Sequence, residues 1–329
     1  MAERKRVHAK PPKQIKRTKK KPLLTIKQRL RIIAIVLVLT AAGVMCLLHF
    51  TGIFTFNDLL YELDIKDRPA TRADLEVHFV DVGQGDCILI KSKGEVMLID
   101  AGDREHSHKT VSYLKKNGIR KIKYLVATHP HADHIGAMSD IIWTFRVEKI
   151  IAPKISDDLM PTTLAYERML AAVQGTGARM TPAKDQTLKV GDCEVQVMTS
   201  HLYDDEDLNN HSVVLKLTHG ENTFLFTADA EKEEEADLLA REMDVKAKVL
   251  KVGHHGSYTS SSAEFLDAVE PEYAVISSGY MNDYGHPHES TMRRLEKYAD
   301  KIYNTAYMGN VVFISDGEGL TVYYTEDRK

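Results

Sequence analysis

Thr128-His129-Pro130-His131-Ala132-Asp133-His134-Ile135-Gly136 places three histidines and one aspartate within six positions, directly after the apolar triplet Leu125-Val126-Ala127. Imidazole and carboxylate are the ordinary ligands of zinc and related divalent ions. On a loop leaving a buried strand, His129 and His131 can face one way and Asp133 and His134 the other. That arrangement suits two metal ions a few ångströms apart. Supporting ligands are expected at other strand ends, and the chain supplies them. Asp100 closes the apolar run Val96–Ile99, and Asp229 follows Phe224-Leu225-Phe226-Thr227, where a carboxylate could bridge two ions. His254-His255-Gly256-Ser257 follows Val249–Val252, and His286-Pro287-His288 follows the strand ending at Ser277. A lone strand-end aspartate is more often a turn or cap residue, and paired histidines are often surface residues. The set is informative because every member sits at the carboxyl end of a buried strand, where α/β sheets place their sites.

Outward from this segment, strands and helices interleave. Alternation from Leu75 marks a strand carrying Val77, Phe79 and Val82 on one side, with further strands at Ile88–Ile90 and Val96–Ile99. Helical spacing appears at 108–117, 135–145, 164–173, 232–243, 263–269 and 291–298. Strands are expected near 125–127, 150–151, 193–198, 212–218, 223–227, 248–252 and 274–277, and two more flank Asp316-Gly317-Glu318-Gly319. The class is mixed α/β in layers. Three cysteines in 329 residues exclude a disulfide scaffold and a cysteine-built zinc module. Cys87 and Cys193 both fall in expected strands and read as buried thiols, although the sequence leaves their pairing open.

The residues His129-x-His131-x-Asp133-His134 with Gly136, Asp100 upstream and Asp229 and His254 downstream resemble the metallo-β-lactamase superfamily. Within it, Val80-Asp81-Val82-Gly83-Gln84-Gly85-Asp86, His254-His255-Gly256-Ser257 and Tyr284-Gly285-His286-Pro287 resemble the hydrolase domain of ComEC-type competence proteins. The resemblance covers about residues 75 to 325. It implies a four-layer αβ/βα sandwich with a dinuclear site of zinc or manganese ions. His129 and His131 would hold one ion, Asp133 and His134 the other, Asp229 would bridge, and His254 or His255 would complete the second site. Many members add a third histidine to the first site. Here Leu208-Asn209-Asn210-His211-Ser212 offers Asn209 and Ser212 instead, with His201 and His211 as loop histidines. Asp133 and His286 are the expected catalytic residues, with Asp100 orienting a ligand and Asn209 or Ser257 contacting substrate.

The amino-terminal part has a different character. Residues 1–31 hold 13 basic residues and one acidic, and no charged residue occurs from Ile32 to Asn57. About 20 apolar residues span a bilayer's hydrocarbon core, so 32–50 is expected to be a transmembrane signal anchor, with 51–73 a linker and 74–329 the hydrolase domain. A cleaved signal peptide fits less well, because cleavage after Ala41-Ala42-Gly43 would leave Leu48 and Phe50 at a new terminus. The Lys/Arg excess before the span puts the amino terminus in the cytoplasm and the large domain outside. One apolar run also distinguishes the chain from the multi-helix channel of ComEC proteins.

Net charge is −3 overall, but +12 over residues 1–31 and −15 over the remainder. The leading expectation is hydrolysis of a phosphodiester, in nucleic acid or another phosphate ester. A domain near −15 repels polyanions, which favours a small or zwitterionic envelope phosphoester as the alternative. A third reading is a membrane-anchored sensor that holds metal without catalysis.

Overall fold

The computed structural model describes residues 26–50, 73–202 and 205–325. The chain divides into two units, Met1–Pro69 and Ala70–Lys329. In the first, helix α1 covers Ile26–Phe50. It starts earlier than the apolar run because Lys27, Arg29 and Arg31 are good helix formers. Among the residues whose side chains are described, no helix is long and apolar enough to cross a membrane. The side chains at 38, 41, 42 and 45–50 lie outside that description, as do the expected tail up to residue 25 and nearly all of the expected linker.

In the second unit, β1 (Leu75–Phe79), β2 (Ile88–Ser92) and β3 (Glu95–Ile99) form an antiparallel meander. Their side chains alternate between two apolar environments: Leu75, Val77, Phe79, Ile90 and Ile99 face one core, while Leu89 and Leu98 face another. Strands apolar on both faces must be covered on both sides. Val82, expected on β1, is buried in the loop beyond it. Helix α2 (Ser107–Lys116) leads to β4 (Lys121–Val126), which joins β3 in parallel. The helix expected at 135–145 is two, α3 (Ala132–Ile135) and α4 (Met138–Thr144). They divide at Gly136, whose Cα packs so tightly against the Arg104 backbone that a side chain would collide. Strand β5 (Arg146–Ala152), α5 (Leu164–Thr176) and β6 (Arg179–Pro182) follow.

The second sheet contains β7 (Gln186–Val190), β8 (Cys193–Met198), β9 (Val214–His219), β10 (Asn222–Phe226), β11 (Val249–Lys251), β12 (Tyr273–Ile276) and β13 (Lys301–Asn304), with α6 (Lys232–Ala240), α7 (Ala263–Val269) and α8 (Glu289–Tyr298) between them. After α9 (Thr305–Met308), β14 (Val311–Ser315) and β15 (Leu320–Tyr324) return to the first sheet. Its order is β15-β14-β1-β2-β3-β4-β5-β6, and that of the second is β13-β12-β11-β10-β9-β8-β7. One core lies between the sheets, joining Phe79 and Phe313 to Val195, Leu217 and Phe224. A second packs α2, α4 and α5 on the first sheet through Leu114, Ile141 and Met169, and a third packs α6, α7 and α8 on the second through Leu238, Phe265 and Leu295. The layers therefore run helix, sheet, sheet, helix. Cys87 and Cys193 are buried free thiols in different cores.

Candidate metal centre

Two sets of strand ends supply the site. Asp100 leaves β3 and the 128–134 segment leaves β4, while Asp229 follows β10, His254-His255 follows β11 and the 277–288 loop follows β12. Within each set the strands are parallel, so their carboxyl ends share one side. The turns are tight. Asp100, Ala228, His254 and His255 all adopt left-handed backbone at φ 56°, 47°, 44° and 54°. Each costs a non-glycine residue on the order of 1–3 kcal/mol, and such strain concentrates at functional sites. At Gly85, with φ 127°, a Cβ would collide with the Asp133 carbonyl oxygen, so only glycine lets the Gly83–Asp86 turn reach the ligand loop.

His134 Nδ1 donates to Asp100 Oδ2 at 2.7 Å, and Thr128 donates its backbone N–H and its hydroxyl to the same carboxylate at 2.9 and 2.6 Å. With Nδ1 committed to Asp100, His134 turns its Nε2 toward the cluster. His255 is set in the same way, its Nδ1 donating to the Ser277 carbonyl at 2.8 Å. The two Nε2 atoms face each other at 3.3 Å. His134 Nε2 is 3.3 Å from Asp229 Oδ1, and His255 Nε2 is 3.2 Å from Asp133 Oδ2 and 3.3 Å from Asp229 Oδ2. One ligand atom from each of Asp133, His134, Asp229 and His255 lies within 4.8 Å of the others. Ligand atoms gathered this closely need positive charge among them, supplied by protons on the two Nε2 atoms or by a metal ion that displaces those protons. Asp229 Oδ1 is buried without a hydrogen-bond donor, as expected of an atom reserved for a metal.

A smaller group adjoins it. His129 Nε2 lies 3.2 Å from His131 Nδ1 and 3.8 Å from Asp229 Oδ2, so Asp229 borders both groups. Asn209 is buried and its Oδ1 lacks a partner. The structure brings neither His201 nor His211 into this group: His211 Nε2 donates to the Asp205 carbonyl at 2.8 Å, and His201 lies 3.8 Å from Asp185.

The electrostatics match the geometry. Burial alone would lower the histidines, and it drives His129 well below the usual imidazole range. At His134 and His255 the same burial is outweighed, first by Asp229 and then by Asp133, so both are held well above that range. Burial would raise Asp229, but His134 and His255 hold it well below the usual carboxylate range. The carboxylates thus stay ionised and draw positive charge, proton or metal ion, to the two Nε2 atoms.

The adjacent histidines separate. His255 enters the cluster, whereas His254 Nδ1 is bonded to Glu231 Oε1 at 2.9 Å and its Nε2 stands 3.7 Å from Asp229 Oδ2. Ser257, expected near substrate, instead shares a 2.9 Å hydrogen bond with Thr259, which donates to Glu231 at 2.7 Å. His286 is half-buried beside His254 and His255, with ring centroids at 5.4 and 6.2 Å. Burial first, then the neighbouring imidazoles, push it down to about 4. Beneath the site lies a buried ion pair absent from the sequence reading. Lys251 Nζ is 2.8 Å from Asp86 Oδ2, and Asp86 Oδ1 is 3.5 Å from His255 Nδ1. A lysine between Leu250 and Val252 in a strand apolar on both faces was the available signal.

The family model of the metallo-beta-lactamase superfamily matches residues 80–280. ComE operon protein 3 of Bacillus subtilis is 30% identical over 267 residues, covering 74% of this chain and 34% of that protein. Recombination protein 2 of Haemophilus influenzae is 32% identical over 241 residues, covering 72% and 28% respectively. The chain thus spans about a third of the length of these curated relatives. Among solved structures, CmlA, a diiron beta-hydroxylase from Streptomyces venezuelae, aligns at a TM-score of 0.49 and 16% identity, covering 74% of this chain and 55% of that one.

Proposed function

This chain belongs to the metallo-beta-lactamase superfamily, and from that premise we propose that it is a metal-dependent hydrolase of phosphodiester bonds. The observation that carries the reading is the pair of Nε2 atoms of His134 and His255 facing each other at 3.3 Å between Asp133 and Asp229. Two divalent cations supply a water of lowered pKa and charge to offset an oxyanion. Asp133, His134, Asp229 and His255 would hold one, and His129, His131 and Asp229 the other. Zinc and manganese both suit this donor set.

The chain's own groups divide the remaining work. Asp100 and the Ser277 carbonyl fix the tautomers of His134 and His255. Glu231 orients His254 so that its Nε2 can take or return a proton beside Asp229. His286, neutral near pH 7, would accept a hydrogen bond from substrate or water. Asn209 contacts substrate.

Relatives named for competence and recombination favour a nucleic acid as the phosphodiester. A smaller envelope phosphoester is the second reading, favoured by the −15 charge and by loops 205–212, 253–262 and 279–288, which contain no Lys or Arg. Full-length protein should turn over bis-nitrophenyl phosphate with manganese or zinc, and Asp133→Ala and Asp229→Ala should each abolish the rate. No turnover with either metal would replace the enzyme reading with a metal-holding sensor.

We further propose that α1 anchors the chain in a membrane, with the hydrolase domain outside the cytoplasm. Ile32, Ile33, Ile35, Val36, Leu37 and Leu39 are all exposed on that helix, and the basic excess lies before it. Alkaline phosphatase fused after residue 329 should be active; inactivity would reverse the topology.

A further inference from the structure

The rim of the site is unusually rich in exposed aromatic rings. Tyr258, Tyr280, Tyr284 and Tyr307 are each 48–67% exposed. Two of them, Tyr284 and Tyr258, continue ring contacts that start at His255. The His286 ring lies nearly parallel to that of His255, at 30°, and to that of Tyr284, at 22° with centroids 5.7 Å apart. From His286 a second branch passes to His288 at 4.9 Å and then to Tyr258 at 5.0 Å. Tyr280, four residues before Tyr284, meets Tyr307 at 5.8 Å. The loop that carries Tyr280 and Tyr284 is held in shape from within. Asn282 donates its amide to the carbonyls of Gly279 and His286 and accepts the His286 N–H, and the Gly279 N–H donates to Gln84 Oε1.

We propose that this tyrosine ledge is a base-stacking subsite, and that the substrate it selects is single-stranded nucleic acid. The proposal rests on the phosphodiesterase reading above and deepens it. Phosphate-led binding needs Lys and Arg, and the loops bordering this side of the site, 253–262 and 279–288, have none. Stacking does not need them. Every base has a π face, an aromatic platform accepts any sequence, and a duplex cannot offer its bases while they remain paired. The ledge begins at His255, so a strand stacked on Tyr284 is led inward past His286 toward the metal-binding side chains. The same feature answers the charge objection: an acidic domain can hold a polyanion when the bases supply the affinity and the ions meet one phosphate.

The test is binding, with turnover suppressed. Full-length metal-loaded protein in detergent is titrated into a fluorescein-labelled phosphorothioate dT12 strand, which resists hydrolysis, and into a 12-base-pair phosphorothioate duplex, and anisotropy is read at several salt concentrations. The expected result is preference for the single strand that persists at high salt, where attraction of phosphates to the basic residues 1–31 is screened. Tyr284→Ala and Tyr280→Ala should each weaken binding on the order of tenfold. Tyr284→Phe and Tyr280→Phe, which keep the rings, should restore it. Alanine variants that bind dT12 like wild type overturn the proposal, as does equal affinity for the duplex. Competition by chitohexaose together with failure to bind dT12 would assign the ledge to a glycan and also overturn it. The hydrolase reading is judged by turnover and the ledge by binding, so either can fail alone.

Discussion

Replacing Lys251 with methionine tests whether the buried ion pair beneath His255 supports the site. The ammonium has three partners: Asp86 Oδ2 at 2.8 Å, the Val252 carbonyl at 2.9 Å and the Ala228 carbonyl at 3.4 Å. Both side chains are almost wholly inaccessible. At that separation and an effective dielectric near 20, the attraction is about 6 kcal/mol. Desolvating the ammonium offsets part of it. Methionine fills similar volume but leaves the buried Asp86 carboxylate with only His255, 3.5 Å away, as its nearest cation, so the net loss should be about 3–5 kcal/mol. For a domain of this size that lowers the melting temperature on the order of 10 °C. The assay is chemical and thermal unfolding of the full-length chain by far-ultraviolet circular dichroism. Asp86→Asn should recover much of the loss when combined with Lys251→Met, giving a coupling of about 2 kcal/mol or more. A single-variant loss below about 1 kcal/mol, or additive losses in the double variant, would refute the reasoning.

His255→Ala should reduce bound metal by about one equivalent, read by elemental analysis of the purified protein. His254→Ala should keep both ions and lose turnover, and the opposite pattern would exchange their roles. Glu76 lies far along the chain from these groups. Burial would raise its carboxyl, but hydrogen bonds from His78 and Lys91 lower it to about 2. A depressed folded-state value stabilises above the unfolded value and is lost as pH falls through the folded one. Glu76→Gln should therefore flatten the stability profile between about pH 4 and pH 2, and an unchanged acid limb in unfolding titrations would remove the linkage.

Much of the fold was legible because its strands are apolar on both faces and end in turns; α7 matches its expected bounds, Ala263–Val269. Three strands were not: Arg179–Pro182, Gln186–Val190 and Lys301–Asn304 are short and half polar, and they form only against neighbours already in place. In the site, ligand types and strand ends could be read from residue chemistry. The choice between His254 and His255 could not, since it depends on two successive left-handed residues that turn adjacent side chains apart. Nor could the pairing of Asp86 with Lys251: a lysine in an apolar strand marks itself as unusual, but its partner lies 165 positions earlier and is brought to it only by the fold.

The pairing of β14 with β1 has a consequence for the order of events during synthesis. Val77 lies opposite Phe313, so one edge of the first strand stays open until the ribosome has passed residue 313. By then every histidine and aspartate of the centre has been exposed. A nascent chain therefore meets metal ions before its sandwich is closed, and it carries an unpaired edge strand throughout, a known route to misassociation. Stops introduced between residues 289 and 310 should give chains that keep all these side chains but leave that edge of β1 unpaired.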